Sequence, residues 1–290
     1  MILPPFEYFR PGTTKEALEL LAEKREAVRP LAGGTDLIVL MKEGRLLPPA
    51  LLSLRDLAEL RVMETGGDRC TVGAGNTVTA VSNSAVPASN PAFGDIIPQM
   101  ATPPIRNRAT IGGNLCTAAA CADFPPVLLV NDAAVRLQSA GGARDVPLNS
   151  FFEGPRKTAR RPDELLMSIT FKKHNPGSAY VKFGVREAVN IAIVGVAGAV
   201  QVSGGLITDL RVAVTAAHPV PLLVPGVRDV SAGQRPEKAT WERVADVVSS
   251  SLTPISDLRG SAEYRLHLAK VATIRVLQKA YERWEEAAHA

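Results

Sequence analysis

Two glycine pairs constrain this chain more than any other feature. "LAGGTDL" covers residues 31–37 and "ATIGGN" covers 109–114. Adjacent glycines reach φ > 0 and let main-chain N–H groups come close to a ligand. Consecutive N–H groups in such a turn form a nest that binds anions without a lysine. A helix starting just beyond adds the positive end of its dipole. The first stretch has the order strand, Gly-Gly, hydroxyl, acid, helix. The second offers another nest, with Asn114 able to donate or accept. Two such loops can cradle the two halves of a pyrophosphate. A glycine pair is also an ordinary turn, and spacing alone leaves that reading open.

Other phosphate and nucleophile motifs are missing. There is no G-x-x-x-x-G-K-[ST]. "GAGNTV" (73–78) imitates G-x-G-x-x-G, but its last position is Val78, so it reads as a strand-end turn. No serine sits in a G-x-S-x-G elbow. His174, His218 and His267 have no acid–base frame. The chain has three cysteines, too few for an iron–sulfur cluster, although Cys116 and Cys121 have C-x4-C spacing. With the histidines scattered, no metal site is expected, and both cysteines read as small packing residues.

At 290 residues the chain exceeds one small domain. It is 46% hydrophobic and 21% charged, as ordinary soluble proteins are. The net charge of +4 is interleaved, so no basic stripe for nucleic acid is visible. The densest basic run, "GPRKTARRP" (154–162), reads as a solvated loop. The start, "MILPPFEYFRPG", has neither the basic region nor the apolar core of a targeting segment. The longest apolar run, 191–200, is half of the roughly 20 residues that a bilayer span needs. A cytoplasmic chain, or one held in a soluble assembly, is expected.

The fold class is α+β. Helices are expected at 13–24, with Thr13 and Glu16 at capping-box spacing, and at 35–44, with Thr35 or Asp36 as N-cap. A helix over 122–132 is expected to be capped by Asp123, with prolines in its first turn. Pro103 and Pro104 make 101–114 a loop with short extended pieces. Strands follow at "AVRLQS", "ELLMSITF", "SAYVKFGVR", "IAIVGVAGAVQV" and "ITDLRVAVTAA", with hairpin turns at the glycine pairs 141–142 and 204–205. Two C-terminal helices close the chain. A boundary falls near residue 175, at "KKHNPGS".

Together, "LAGGTDLIVLMK" and "IRNRATIGGNLCTAAACADFPPVLLVNDA" closely resemble the medium, FAD-binding subunit of the molybdenum hydroxylases. That family includes carbon monoxide, xanthine, nicotine and quinoline dehydrogenases and 4-hydroxybenzoyl-CoA reductase. The resemblance extends to "ELLMSITF", "YVKFGVREAVNIAIVGVA" and "SDLRGSAEYRLHLA", in family order over nearly the whole chain. It implies a two-subdomain FAD-binding fold of the vanillyl-alcohol oxidase/PCMH type. The subdomains would cover about 1–55 and 56–175. A C-terminal α+β domain, 176–290, would hold a three-stranded antiparallel sheet and helices. It also implies partners: a large subunit carrying the molybdenum cofactor and a small one carrying two [2Fe–2S] clusters, assembled as a dimer of heterotrimers. This chain would take electrons onto FAD and pass them to an external acceptor.

By the same resemblance, Leu31, Ala32, Gly33, Gly34, Thr35 and Asp36 form the first cofactor loop. Thr110, Gly112, Gly113 and Asn114 form the second. Ala101 and Cys116 lie against the cofactor, and Asp123 hydrogen-bonds its ribityl or flavin region. Leu165 and Leu166 pack near the isoalloxazine, and Lys182 lies at its polar edge and tunes the flavin; two core leucines and a surface lysine are the plainer reading. The chain lacks the cysteine-bearing insertion of the 4-hydroxybenzoyl-CoA reductase flavoprotein. Its first loop also lacks the histidine of the carbon monoxide dehydrogenase version. The substrate is read on another chain. Two other functions stay open: a self-contained FAD-dependent oxidase or reductase of the wider superfamily, and a binding module without redox chemistry.

Overall fold

The computed structural model describes residues 3–186 and 190–289. The expected family segment around 180–197 therefore lies partly outside the described residues, at 187–189. In chain order, β1 (Glu7–Phe9), α1 (Thr14–Lys24), β2 (Val28–Leu31), α2 (Leu37–Lys42) and β3 (Ala50–Ser53) form the first unit. Its sheet has the order β1-β3-β2, with both pairings parallel. Thr13 caps α1 by accepting the Glu16 N–H, and the Glu16 carboxylate reaches the Gly12 N–H. Gly34, at φ +76°, adopts the left-handed turn that carries the chain from β2 into α2.

Next come β4 (Met63–Glu64), β5 (Arg69–Gly73) and a run of short helices: α3 (Val78–Ser82), α4 (Val86–Ser89), α5 (Pro91–Gln99), α6 (Pro103–Arg106), α7 (Ile111–Thr117) and α8 (Phe124–Val130). Strands β6 (Ala134–Ser139), β7 (Gly142–Pro147), β8 (Phe152–Gly154), β9 (Lys157–Thr158) and β10 (Leu165–Lys172) follow. A five-stranded sheet runs β4-β5-β10-β6-β7, and β8-β9 forms a separate ribbon. The helices bury Phe93, stacked on Phe171, and Phe124 against this sheet.

The remaining elements are β11 (Ser178–Gly184), β12 (Ala192–Ser203), β13 (Leu206–Thr215), β14 (Leu222–Leu223), α9 (Val227–Ser231), α10 (Lys238–Ser250) and α11 (Ala262–His289). Their antiparallel sheet runs β11-β12-β13-β14. The three expected strands thus gain a fourth, two residues long. Pro221 and Pro225 flank it, and proline has no N–H with which to extend the ladder. A second apolar core lies between this sheet and α10 and α11, around Trp241, Val244 and Leu277.

Two local expectations fail. Residues 101–114 are largely helical. Pro103 and Pro104 occupy the first turn of α6, where no N–H bond is needed. Gly112 and Gly113 are not a turn either: they lie in the first turn of α7, capped by Thr110, whose hydroxyl accepts the Gly113 N–H. Asp123 precedes α8 but makes no capping bond. Its carboxylate is held elsewhere, as described next.

α11 ties the last unit to the others. Asp95, on α5, accepts from Lys279 at 2.7 Å and from Arg283 at 2.7 and 2.9 Å. It also accepts the Tyr180 main-chain N–H at 3.0 Å. These cations hold the Asp95 carboxyl below the ordinary range, against the opposing pull of burial.

Candidate FAD site

A cavity of about 700 Å³ runs between the three units. That volume is within the range of small-molecule and cofactor sites. Leu31 to Asp36, Ala101, Thr110, Gly112, Gly113, Asn114, Cys116, Asp123, Leu165 and Leu166 all line it. Lys182 is the exception and stands behind Asp123.

The first loop has the donors a phosphate needs. Among the described residues, the N–H groups of Gly33, Gly34, Thr35 and Asp36 have no acceptor within the chain. The second loop differs from expectation. Its N–H groups are committed: Ile111 to Asn76 O at 3.1 Å, Gly112 to Ala74 O at 3.0 Å and Asn114 to Thr110 O at 3.0 Å. It is therefore not a second nest. The Asn114 side-chain oxygen Oδ1, however, is buried without a partner on the cavity wall. An orphaned polar atom there fits a polar ligand that completes it.

The glycines serve the walls as much as any ligand. A Cβ on Gly33 would lie 2.0 Å from the Arg108 carbonyl oxygen. One on Gly112 would lie 2.5 Å from the Ala74 Cβ. Gly33 therefore lets the first loop press against the turn between α6 and α7, and Gly112 lets α7 press against the end of β5. "GAGN" matters here as the acceptor shelf under α7.

Leu165 and Leu166 are buried, at 2% and 5% exposure, and form apolar floor. A register shift between Leu166 and Ser168 marks a bulge at this end of β10. Ala101 sits at φ +49°, and Arg106 holds that turn by donating to the Met100 and Ala101 carbonyls. Burial pushes the Cys116 thiol up, against the pull of Arg160. Burial and Asp123 push up Cys121, which also lines the cavity. Both thiols stay protonated, so neither is an anionic ligand.

Asp123 Oδ1 receives Lys182 Nζ at 2.9 Å and the Tyr180 hydroxyl at 3.4 Å. The Lys182 side chain is 2% exposed, so it is not a surface lysine. Its second bond goes to Gln99 O at 3.2 Å. Burial raises the Asp123 carboxyl above the ordinary range, while Lys182 and Tyr180 pull it back. The loop before Asp123 is clamped from the C-terminal sheet. Thr215 Oγ1 donates to Ala120 O at 2.8 Å and Ala122 O at 2.9 Å, and Ala216 N–H donates to Ala120 O at 2.6 Å.

Several lining residues were not anticipated. Arg156, Lys157, Thr158, Arg160 and Pro162 belong to the basic run expected to be a solvated loop, yet they form a cavity wall. Their charge density was the available signal. Tyr180, which stands behind the lining on Asp123, carried none, since one tyrosine in an apolar strand looks like core. No cluster of His, Cys, Asp and Glu suited to a metal occurs among the described residues. No described helix is long and apolar enough to cross a membrane.

The fold has close counterparts. Residues 4–171 match the model for the FAD binding domain in molybdopterin dehydrogenase. Residues 179–280 match the CO dehydrogenase flavoprotein C-terminal domain. The chain is 32% identical to the xanthine dehydrogenase FAD-binding subunit of Escherichia coli O157:H7, covering 94% of this chain and 95% of that one. It is 30% identical to the carbon monoxide dehydrogenase medium chain of Hydrogenophaga pseudoflava, over 98% and 99%. A solved carbon monoxide dehydrogenase from that organism, lacking the Mo-pyranopterin moiety of the molybdenum cofactor, superposes with a TM-score of 0.94 at 29% identity, over 98% of this chain and 99% of that one. Matched in both halves and along almost all of its length, the chain belongs to the FAD-binding medium subunits of the molybdenum hydroxylase family.

Proposed function

We propose that this chain is the electron-transfer subunit of a molybdenum-containing dehydrogenase. It takes electrons from the [2Fe–2S] clusters of a small partner and passes them to an external acceptor. A large partner holds the molybdenum cofactor and the substrate. The observation that carries the reading is the run of unpaired N–H groups at Gly33 to Asp36, on the wall of a cavity floored by Leu165 and Leu166. Those N–H groups receive the pyrophosphate oxygens, and Thr35 adds a hydroxyl. Asn114 closes on the cofactor through its unpartnered amide. Ala101, Cys116, Leu165 and Leu166 supply apolar contact that excludes water. Asp123 accepts from the ribityl or flavin end, and Lys182 acts there through Asp123. FAD supplies the store that couples one-electron donors to a two-electron acceptor.

The two family matches meet between residues 171 and 179, which supports a boundary near residue 175. The relatives' names as medium chain and medium subunit support a large and a small partner; a cytoplasmic dimer of heterotrimers is the assembly this reading proposes. Purification from the native source, with an optical spectrum and metal analysis, tests the reading. Co-purifying iron- and molybdenum-bearing chains are expected. A lone chain that oxidises an organic substrate would instead establish the self-contained flavin oxidase.

A further inference from the structure

Tyr180 is absent from the cavity lining, yet its two polar groups reach two different acids of the FAD-binding half. Its N–H donates to Asp95 Oδ2 at 3.0 Å and its hydroxyl to Asp123 Oδ1 at 3.4 Å. Asp95 is itself pinned by Lys279 and Arg283. The tyrosine is 1% exposed. It shares a face of β11 with Lys182, two residues on, because side chains alternate along a strand. Both therefore converge on the same oxygen of Asp123.

The neighbouring strand leaves room for this hydroxyl. A Cβ on Gly195 would lie 2.4 Å from Tyr180 Oη and 2.8 Å from Thr215 Cγ2. Gly195 sits inside β12 without a left-handed φ, so space and not backbone conformation calls for glycine there. Thr215, on its other side, clamps the loop that ends at Asp123.

We infer that Tyr180 is a positioning residue: with Lys182 it saturates Asp123 Oδ1, so that the other carboxylate oxygen, Oδ2, is the one presented to the cofactor. No protein donor reaches Oδ2 among the described residues. The charged groups facing this carboxylate are Lys182 and, beyond Cys121, Arg259; Tyr180 and Cys121 are its titratable neighbours. A hydroxyl donating to a carboxylate favours the ionised form. Tyr180 thus keeps Asp123 charged against the pull of burial. The inference rests on the flavin reading for what Oδ2 meets, but not for the geometry around Oδ1.

The test is Tyr180→Phe in the full chain, which removes one oxygen and keeps the ring packing. The first readout needs no flavin. Aspartate carboxyl carbons are labelled with carbon-13, the Asp123 signal is assigned by its loss in Asp123→Asn, and its titration is followed by NMR. The variant should titrate at a pH higher by about half a unit or more. The second readout is the midpoint potential of bound FAD against pH. Tyr180→Phe should move the pH at which that curve bends in the same direction. In an Asp123→Asn background it should move nothing. An unchanged Asp123 titration in a folded variant overturns the inference. So does a change in potential that persists without the Asp123 charge. A wild-type chain that titrates as expected but takes up no FAD overturns the flavin reading alone, because the Oδ1 geometry would stand.

Discussion

Gly33→Val asks whether the cavity is held open by loop-to-loop contact. The first atom added would lie 2.0 Å from the Arg108 carbonyl oxygen, 2.7 Å from its carbon and 3.0 Å from the Ala109 Cα. All three obstacles are backbone, so no rotamer change relieves them. The first loop must retreat by about 1.4 Å to reach ordinary contact, before the valine methyls are counted. Overpacking of this kind costs about 1–3 kcal/mol of stability. The same retreat takes the N–H groups of Gly33 to Asp36 out of hydrogen-bond reach of a fixed pyrophosphate. Each bond to a charged acceptor contributes about 1.5–3 kcal/mol. Losing two of them weakens FAD binding by roughly a hundredfold or more. The assay is flavin content per chain after gel filtration, with circular dichroism to confirm folding. Gly142→Val is the control. Its Cβ would meet nothing within 4 Å, but φ is +139°, so it strains the β6–β7 hairpin without touching the cavity. It should lower the melting temperature and retain flavin. A folded Gly33→Val chain that binds FAD like the wild type would refute the reasoning.

Two further outcomes follow from the buried polar atoms. Lys182→Met strips Asp123 of its cation, and breaking so buried a pair costs about 3–5 kcal/mol at neutral pH. The Asp123 carboxyl already titrates above its unfolded value because of burial, and losing Lys182 raises it further. The penalty is therefore full at neutral pH and shrinks as the pH falls and Asp123 takes up a proton; urea melts at neutral pH and near pH 4 should show that convergence, and equal losses would contradict it. Asn114→Leu removes an orphaned oxygen, so the flavin-free chain should gain up to about 1–3 kcal/mol while FAD binds more weakly. Thermal melts with and without FAD check that opposition of signs, and a loss in both would count against a cofactor role for Asn114.

Much of the fold was legible because periodicity and glycine position carry local information. Strands β6, β10, β11, β12 and β13 and the two C-terminal helices lie where alternation and helical spacing put them. The hairpin glycines 204 and 205 take the positive φ values their place requires. Segment 101–114 was misread because proline forbids a helix interior but suits a first turn. The first glycine loop shows its donors locally. The second does not, since the Ile111 and Gly112 N–H groups go to residues 76 and 74 and those of Gly113 and Asn114 to Thr110, and only the tertiary structure brings the carbonyls of 74 and 76 under α7. Lys182 illustrates the same limit. As a lone lysine it suggests a charge beside the flavin, but its partner is 59 residues away in sequence.

The central claim is that this cavity holds FAD without a covalent link. The direct measurement is the flavin released when the FAD-reconstituted, gel-filtered chain is precipitated with acid. The account predicts a colourless pellet and about one FAD per chain in the supernatant, as a single cavity of this size allows. Colour held in the pellet, FMN in place of FAD, or no flavin at all would contradict it.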